Sequence, residues 1–197
     1  MDEKTKRDAG ILYDANYNDA LLQELLACKD LCHRYNQLFP SDLSEKKELM
    51  EKILGRTKGI FLIQAPFWCD YGYNIEIGEN FYANHGCVIL DAAKVQFGNN
   101  VFIGPDCGFY TAGHPIDALR RRQGLEYAHP ILVGDDVWFG GGVRVMPGVT
   151  IGSGVVIGSG SVVTRDIPDG VIAVGNPCRV LRPITEADEK TLYKFLK

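Results

Sequence analysis

Residues 133–167 read VGDDVWFGGGVRVMPGVTIGSGVVIGSGSVVTRDI, and every sixth residue of this stretch is aliphatic or aromatic: Val133, Phe139, Val145, Ile151, Ile157 and Val163. The following column holds Gly134, Gly140, Met146, Gly152, Gly158 and Thr164, and the fifth holds Val137, Val143, Val149, Val155, Ser161 and Ile167. A period of six matches neither the 3.6 of an amphipathic helix nor the 2 of a half-buried strand. Each hexad must therefore be a short strand followed by a corner. Glycine supplies the backbone freedom of the corner, while the aliphatic and β-branched columns stack inward from coil to coil. Three such sides make an 18-residue coil. A Gly/Val-rich sandwich would instead show strict alternation and irregular turn spacing. Upstream, the same phase is read at Tyr71, Ile77, Ala83 and Ile89, slips by two residues, and resumes at Phe97, Ile103 and Phe109. The slip predicts a bulge or a widened corner.

The flanks are of another kind. Residues 1–56 contain few glycines and read as helices: AGILYDANYNDALLQELLACKDLCHRYNQLF carries apolar residues at helical spacing until Pro40, and Ser41 or Ser44 can cap a second helix through Ile53. The hexad domain is expected over 57–184, interrupted at 110–132 by a polar excursion with His114, Arg120, Arg121 and Arg122. TEAD at 185–188 reads as a capping box opening a final helix within 185–197, with Leu192 and Phe195 on one face.

Composition bounds the partners. The chain has 197 residues, 46% of them hydrophobic, a net charge of -4 and a pI near 5.6, so no overall basic field favours nucleic acid or an anionic membrane surface. The charged start, MDEKTKRDAG, lacks the apolar core of a secretion signal and no apolar run is long enough for a membrane span, which predicts a cytoplasmic protein. Six cysteines, at 28, 32, 69, 87, 107 and 178, are read as reduced, mostly buried thiols. Cys28 and Cys32 are four apart, a spacing that suits one helix face better than a redox pair.

Stacking accounts for most residues, so candidates for chemistry are those it leaves over. His114 leads: it opens the excursion in YTAGHPID, is followed by a proline that stiffens the chain, and its imidazole can accept a hydroxyl proton near neutral pH.

CDYGYNIEIGENFYANHGCVILDAA at 69–93, FYTAGHPID, HRYN at 33–36 and VTRDIPDGVIAVGNPCRVLRPI at 163–184 together resemble the maltose and galactoside O-acetyltransferases of the hexapeptide-repeat family over nearly the whole chain. The resemblance implies a mainly β, left-handed parallel β-helix and an acetyl-CoA-dependent transfer of acetyl to a hydroxyl of a sugar-like acceptor. It places the catalytic base at His114 and an acceptor-orienting amide at Asn84, with Asp70 and Asp91 in the acceptor pocket. An N-terminal aspartate of the galactoside enzymes falls near Ala15 with Asp14 beside it, and those enzymes carry serine where Asp70 stands, which favours the maltose-type branch. Coenzyme A would meet the Gly141 amide near its thioester, Ser159, Thr164 and Arg165 along pantetheine and adenine, and Arg179 and Arg182 at phosphate, with Trp138 as a wall. The family also implies a homotrimer with sites between neighbours and no required metal. No G-x-S-x-G elbow is present. Two other readings stay open from the residues alone: a non-catalytic β-helix scaffold, and a zinc carbonic anhydrase on the same fold, for which His33, His85, His114 and His129 are the available ligands.

Overall fold

The computed structural model describes residues 1–190. Within them the hexads wind into a parallel β-helix with three faces. Strands Phe61–Ile63, Phe81–Ala83, Phe102–Ile103, Trp138–Phe139, Val156–Ile157 and Val171–Val174 pair in register along the first face. Phe67–Cys69, Cys87–Leu90, Gly108–Tyr110, Arg144–Val145 and Val162–Val163 form the second. Ile75–Glu76, Val95–Phe97, Ile131–Val133 and Thr150–Ile151 form the third. Arg179–Pro183 turns back antiparallel on Val171–Val174 and closes the last edge of the first face.

Inside, the columns read from the sequence are the core. Val133, Phe139, Val145, Ile151, Ile157 and Val163 are buried, as are Val137, Val143, Val149, Val155, Ser161 and Ile167. Four rings descend the axis, with centroids 5.2 Å (Phe81–Phe97), 5.0 Å (Phe97–Phe109) and 5.2 Å (Phe109–Phe139) apart, spacings that add tilted and edge-on aromatic contact to the burial. Corners approach as closely as backbone allows: a Cβ at Gly104 would lie 2.7 Å from the Gly141 amide nitrogen, so a side chain there would push two coils apart.

One corner departs from the pattern. Between the second and third faces, Cys69 to Ile77 and Ile89 to Phe97 each take eight residues, Phe109 to Val133 takes 24, and only Val145 to Ile151 returns to six. The slip predicted after Ile89 is thus a widened corner that recurs coil after coil. It also corrects the phase at Tyr71. Cys69 holds the inward position paired with Ile89, and Tyr71 lies in the widened corner, where it joins Tyr13, Leu21, Ala92 and Ala128 in a second, smaller core.

The N-terminal region is not helical throughout. Helix α1 (Glu3–Asp8) precedes a short strand, Tyr13–Asp14, and the long helix α2 (Asp19–Gln37) starts only where Asn18 accepts the Leu21 amide at 3.1 Å. Residues 9–17, read as part of that helix, are diverted because Gly10 takes φ +69° and Tyr13–Asp14 pairs with Leu125–Glu126 of the excursion. Helix α3 (Leu43–Ile53) starts from Asp42, which makes no side-chain cap, so neither Ser41 nor Ser44 occupies that position. Helix α2 covers the open edge of the first coil. Asn36 donates to the Phe67 carbonyl at 2.9 Å and accepts the Phe67 amide at 2.8 Å, completing hydrogen bonds a bare edge strand would leave open.

At the other end, Thr185 and Asp188 form the capping box of a short helix over Glu186–Glu189. Leu192 and Phe195 lie outside the described residues. No helix among the described residues is long and apolar enough to cross a membrane.

Candidate active site

The longest corner insertion folds on itself. Ala112–Gly113 pairs antiparallel with Leu125–Ala128, which pairs on its other side with Tyr13–Asp14, giving a three-stranded sheet over the second core. His114 leaves this sheet directly after Gly113. Its Nδ1 lies 3.3 Å from the Leu125 carbonyl, and its Nε2 lies 3.6 Å from Glu126 Oε1. A carbonyl can only accept, so it selects the tautomer with the proton on Nδ1 and leaves the Nε2 lone pair able to accept a proton. The ring is half exposed.

Glu126 was not singled out in the sequence. Its other oxygen accepts the Tyr13 hydroxyl at 3.1 Å, and burial holds its carboxyl above the usual range, opposed by the His114 and Tyr13 contacts. A carboxylate at this place faces the Nε2 side of the imidazole, an arrangement able to stabilise positive charge on the ring. Tyr13, buried at the centre of the small core, is the post that positions Glu126, and burial raises its own pKa. The residue pattern offered one signal: LEYA at 125–128 is a β-type segment inside an otherwise polar excursion.

Asp70 and Asp91 meet at the same widened corner. The Asp91 carboxylate is wholly buried, and its Oδ1 accepts the amides of Asp70 and Tyr71 at 3.0 and 2.9 Å. Oδ2 has no partner among the described residues, and burial pushes the carboxyl up to about 6. Asp91 therefore lies behind the wall rather than on it, folding the turn that presents Asp70. The Asp70 carboxylate is 3.8 Å from Lys29 Nζ and borders a cleft of about 260 Å³ with Trp68, Cys69 and Leu90; burial raises its pKa and Lys29 opposes this. Its charge also bears on Glu126, so His114, Glu126 and Asp70 share one electrostatic neighbourhood. Asp14 is spent on its own turn, with Oδ1 accepting the amides of Asn16 and Tyr17, while Ala15 has no polar side chain.

Asn84 is elsewhere. It stands at the corner between the first and second faces, its Oδ1 accepting the His85 amide at 2.8 Å. The backbone ladder Asn84–Ile103, Gly104–Phe139, Gly140–Ile157 and Gly158–Ala173 runs along that edge, which puts Asn84 in the row of Gly104, Gly140 and Gly158, with Gly141 and Ser159 one position further on, in the row of His85 and Pro105. The Gly141 amide has no acceptor among the described residues, and its carbonyl takes the Gly160 amide at 2.9 Å. Thr164 and Arg165 are exposed on the other edge, the one that carries Asp91 and Thr111. Arg179 is exposed and bonds the Cys178 carbonyl, whereas Arg182 is engaged in a two-pronged bond to Asp188 at 2.8 and 2.7 Å. Trp138 is 56% exposed on the outer surface of the first face, in an apolar row that registers Leu62, Tyr82, Phe102, Trp138, Val156 and Ile172. Within one chain, then, His114 with Asp70 and Asn84 with Gly141 occupy two different edges. Among the described residues, His33, His85, His114 and His129 form no group able to hold a metal.

Residues 6–59 match the maltose acetyltransferase hexapeptide capping motif, and residues 130–165 match the bacterial transferase hexapeptide of six repeats. A Saccharomyces cerevisiae protein named as an acetyltransferase is 57% identical over 92% of this chain and 93% of its own length. A maltose O-acetyltransferase from Clostridium difficile 630 superposes with a TM-score of 0.90 at 46% identity, covering 94% of this chain and 99% of that one. A galactoside acetyltransferase solved with coenzyme A gives a TM-score of 0.95 at 37% identity, covering 100% and 98%.

Proposed function

Since the chain belongs to the hexapeptide-repeat acetyltransferases of the maltose and galactoside type, we propose that it moves the acetyl group of acetyl-CoA onto a hydroxyl of a sugar or sugar-like acceptor. The observation that carries the reading is His114, with Nδ1 against a carbonyl and Nε2 free beside Glu126. In this mechanism Nε2 takes the hydroxyl proton as the oxygen attacks the thioester carbonyl, and the imidazolium then returns that proton to the departing thiolate. Neither a cysteine intermediate nor a metal takes part. Asp70 accepts from acceptor hydroxyls, Asp91 positions it, and the Asn84 amide orients the reacting group. The free Gly141 amide faces the tetrahedral oxyanion. Ser159, Thr164 and Arg165 follow the pantetheine and adenine, while Arg179 and Arg182 meet phosphate, the latter on exchanging Asp188 for it.

The two edges supply the reason for assembly. Asn84 and Gly141 come to His114 only when the edge of one copy lies along the opposite edge of its neighbour, and a closed ring of three satisfies this for every copy. The outward row from Leu62 to Ile172 gives such copies an apolar contact. In this arrangement 1–56 is an N-terminal unit, mostly helical, that covers the first coil, 57–184 is the acyltransferase β-helix with its 110–132 excursion, and 185–197 is a C-terminal segment. Six free, buried thiols accord with a cytoplasmic setting.

The test is thiol release from acetyl-CoA across glucose, maltose, galactosides and serine. Sugar-dependent release that falls roughly 10²- to 10⁴-fold in His114→Ala, the loss expected for a general base, supports the proposal. Release that ignores the sugar, or survives the substitution, overturns it.

A further inference from the structure

Three cysteines take no part in the proposed chemistry, yet the fold gathers them. Cys28 and Cys32 lie one turn apart on the inner side of α2, and the strand Phe67–Cys69 brings Cys69 up to both. Cys69 Sγ is 3.5 Å from Cys28 Sγ and 3.6 Å from Cys32 Sγ, and all three sulfurs lie within 4.8 Å of one another. All three side chains are buried. Cys87, Cys107 and Cys178 are buried as well but belong to no such group among the described residues, so burial by itself does not collect sulfurs into a triangle.

The triangle has the dimensions of a metal site. Thiolates at about 2.3 Å from a tetrahedral ion stand about 3.8 Å apart, within a few tenths of an ångström of the two contacts here. Neutral thiols, by contrast, gain only weak S–H bonds from the same closeness. We propose that Cys28, Cys32 and Cys69 bind one thiophilic metal ion of the zinc class, through three thiolates and a fourth, solvent-filled position. The donor set fixes the class, because sulfur ligands favour zinc-like and softer ions over magnesium or calcium. On loading, three thiols release three protons to solvent and a divalent ion enters, leaving a net charge of about -1 on the site. Lys29, next to Cys28 on α2 with its Nζ 3.8 Å from Asp70, lies on the side of the cleft where it offsets that charge. The cleft of about 260 Å³ bordered by Lys29, Trp68, Cys69, Asp70 and Leu90 gives the ion a way in and water a place as fourth ligand.

Such an ion fastens α2 to the first coil directly beside Asp70, and its role is structural. Its existence is independent of acetyl transfer, and so is its test. Full-length protein, reduced and stripped by a chelator, is titrated without oxygen first with Co²⁺ and then with Zn²⁺. The expected result is one equivalent of cobalt per chain with a thiolate-to-cobalt charge-transfer band, displacement by one equivalent of zinc, and a melting temperature raised by loading. Cys28→Ser and Cys69→Ser each weaken binding at least tenfold, while Cys87→Ser leaves it unchanged. Should a serine variant fail to fold, the wild-type titration still decides: a folded, reduced protein with no charge-transfer band and no stoichiometric zinc overturns the proposal. A band that persists in both Cys28→Ser and Cys69→Ser overturns it equally.

Discussion

Two corners of the same solenoid were built under opposite rules. Between the first and second faces the chain turns by nearly the same means in each coil, and Gly104, Gly140 and Gly158 stack there with no room for a side chain. Between the second and third faces it takes two extra residues in each of two coils and eighteen in the next. The regular corner offers backbone amides, such as that of Gly141, in a fixed row. The irregular one offers side chains with pKa values moved by burial: Asp70, Asp91 and Glu126, with His114 above them. Regularity supplies position and insertion supplies chemistry, and the division can be broken from either side.

The widest separation is between His114→Ala, whose expected cost falls on turnover alone, and Phe139→Ala, whose cost falls on folding. Phe139 is fully buried and meets Phe109 edge-on, so its truncation removes about 3–5 kcal/mol of stability while the residual folded enzyme keeps its turnover. Denaturant melts of both variants beside their rates check this, and a His114→Ala protein destabilised as much as Phe139→Ala would erase the distinction.

Next in size is a pH effect confined to the irregular corner. Asp91 is held up at about 6 against an ordinary 3.8, so between those values the unfolded chain loses its proton first and the folded state is penalised as pH rises. At about 1.4 kcal/mol per tenfold change in proton affinity, the penalty is on the order of 3 kcal/mol above pH 6. Relative to wild type, Asp91→Asn therefore gains stability by that amount from pH 4 to pH 7. Parallel stability curves for the two proteins would contradict it.

Smaller still, Glu126→Gln keeps the shape of the His114 neighbour and removes its charge, for an expected loss of roughly tenfold in turnover, about 1.4 kcal/mol, with acceptor-independent CoA affinity unchanged by calorimetry. Smallest is Gly160→Ala at the regular corner. A Cβ there meets nothing within 4 Å, but φ is +72°, so the change costs about 1 kcal/mol through backbone conformation alone. Gly104→Ala, with its 2.7 Å contact to backbone, should cost distinctly more, and a reversed ranking in thermal melts would mean that the corners are looser than their stacking implies.

How much of this was legible in the sequence follows the same line. The columns from Val133 to Ile167 could be read residue by residue, because a strict period leaves one solution. Tyr71 was misplaced because it happens to lie six before Ile77, and nothing local says that Cys69, two residues earlier, is the one that turns inward. Residues 9–17 carried helical spacing that lost to a pairing with Leu125–Glu126, more than a hundred residues away. Glu126 and Tyr13 were missed for the same reason: their roles exist only once the excursion has folded back on the N-terminal strand. His114 stood out since it interrupts a pattern, but the pattern could not say that its neighbours are Leu125 and Glu126. Cys28 and Cys32 were seen as a helix face, and the 37 residues from Cys32 to Cys69 hid the third member.

The excursion between Phe109 and Val133 can change its length without disturbing the solenoid. Its two ends are clamped by adjacent strands that pair in register with the coils above and below, so closing it costs entropy that grows only with the logarithm of its length, about 0.6 kcal/mol for each doubling. Residues added or lost there leave the register of every coil untouched. Insertions and deletions in the polar part of the excursion therefore leave the coils intact, while the row of amides on the opposite edge stays under the full constraint of the repeat.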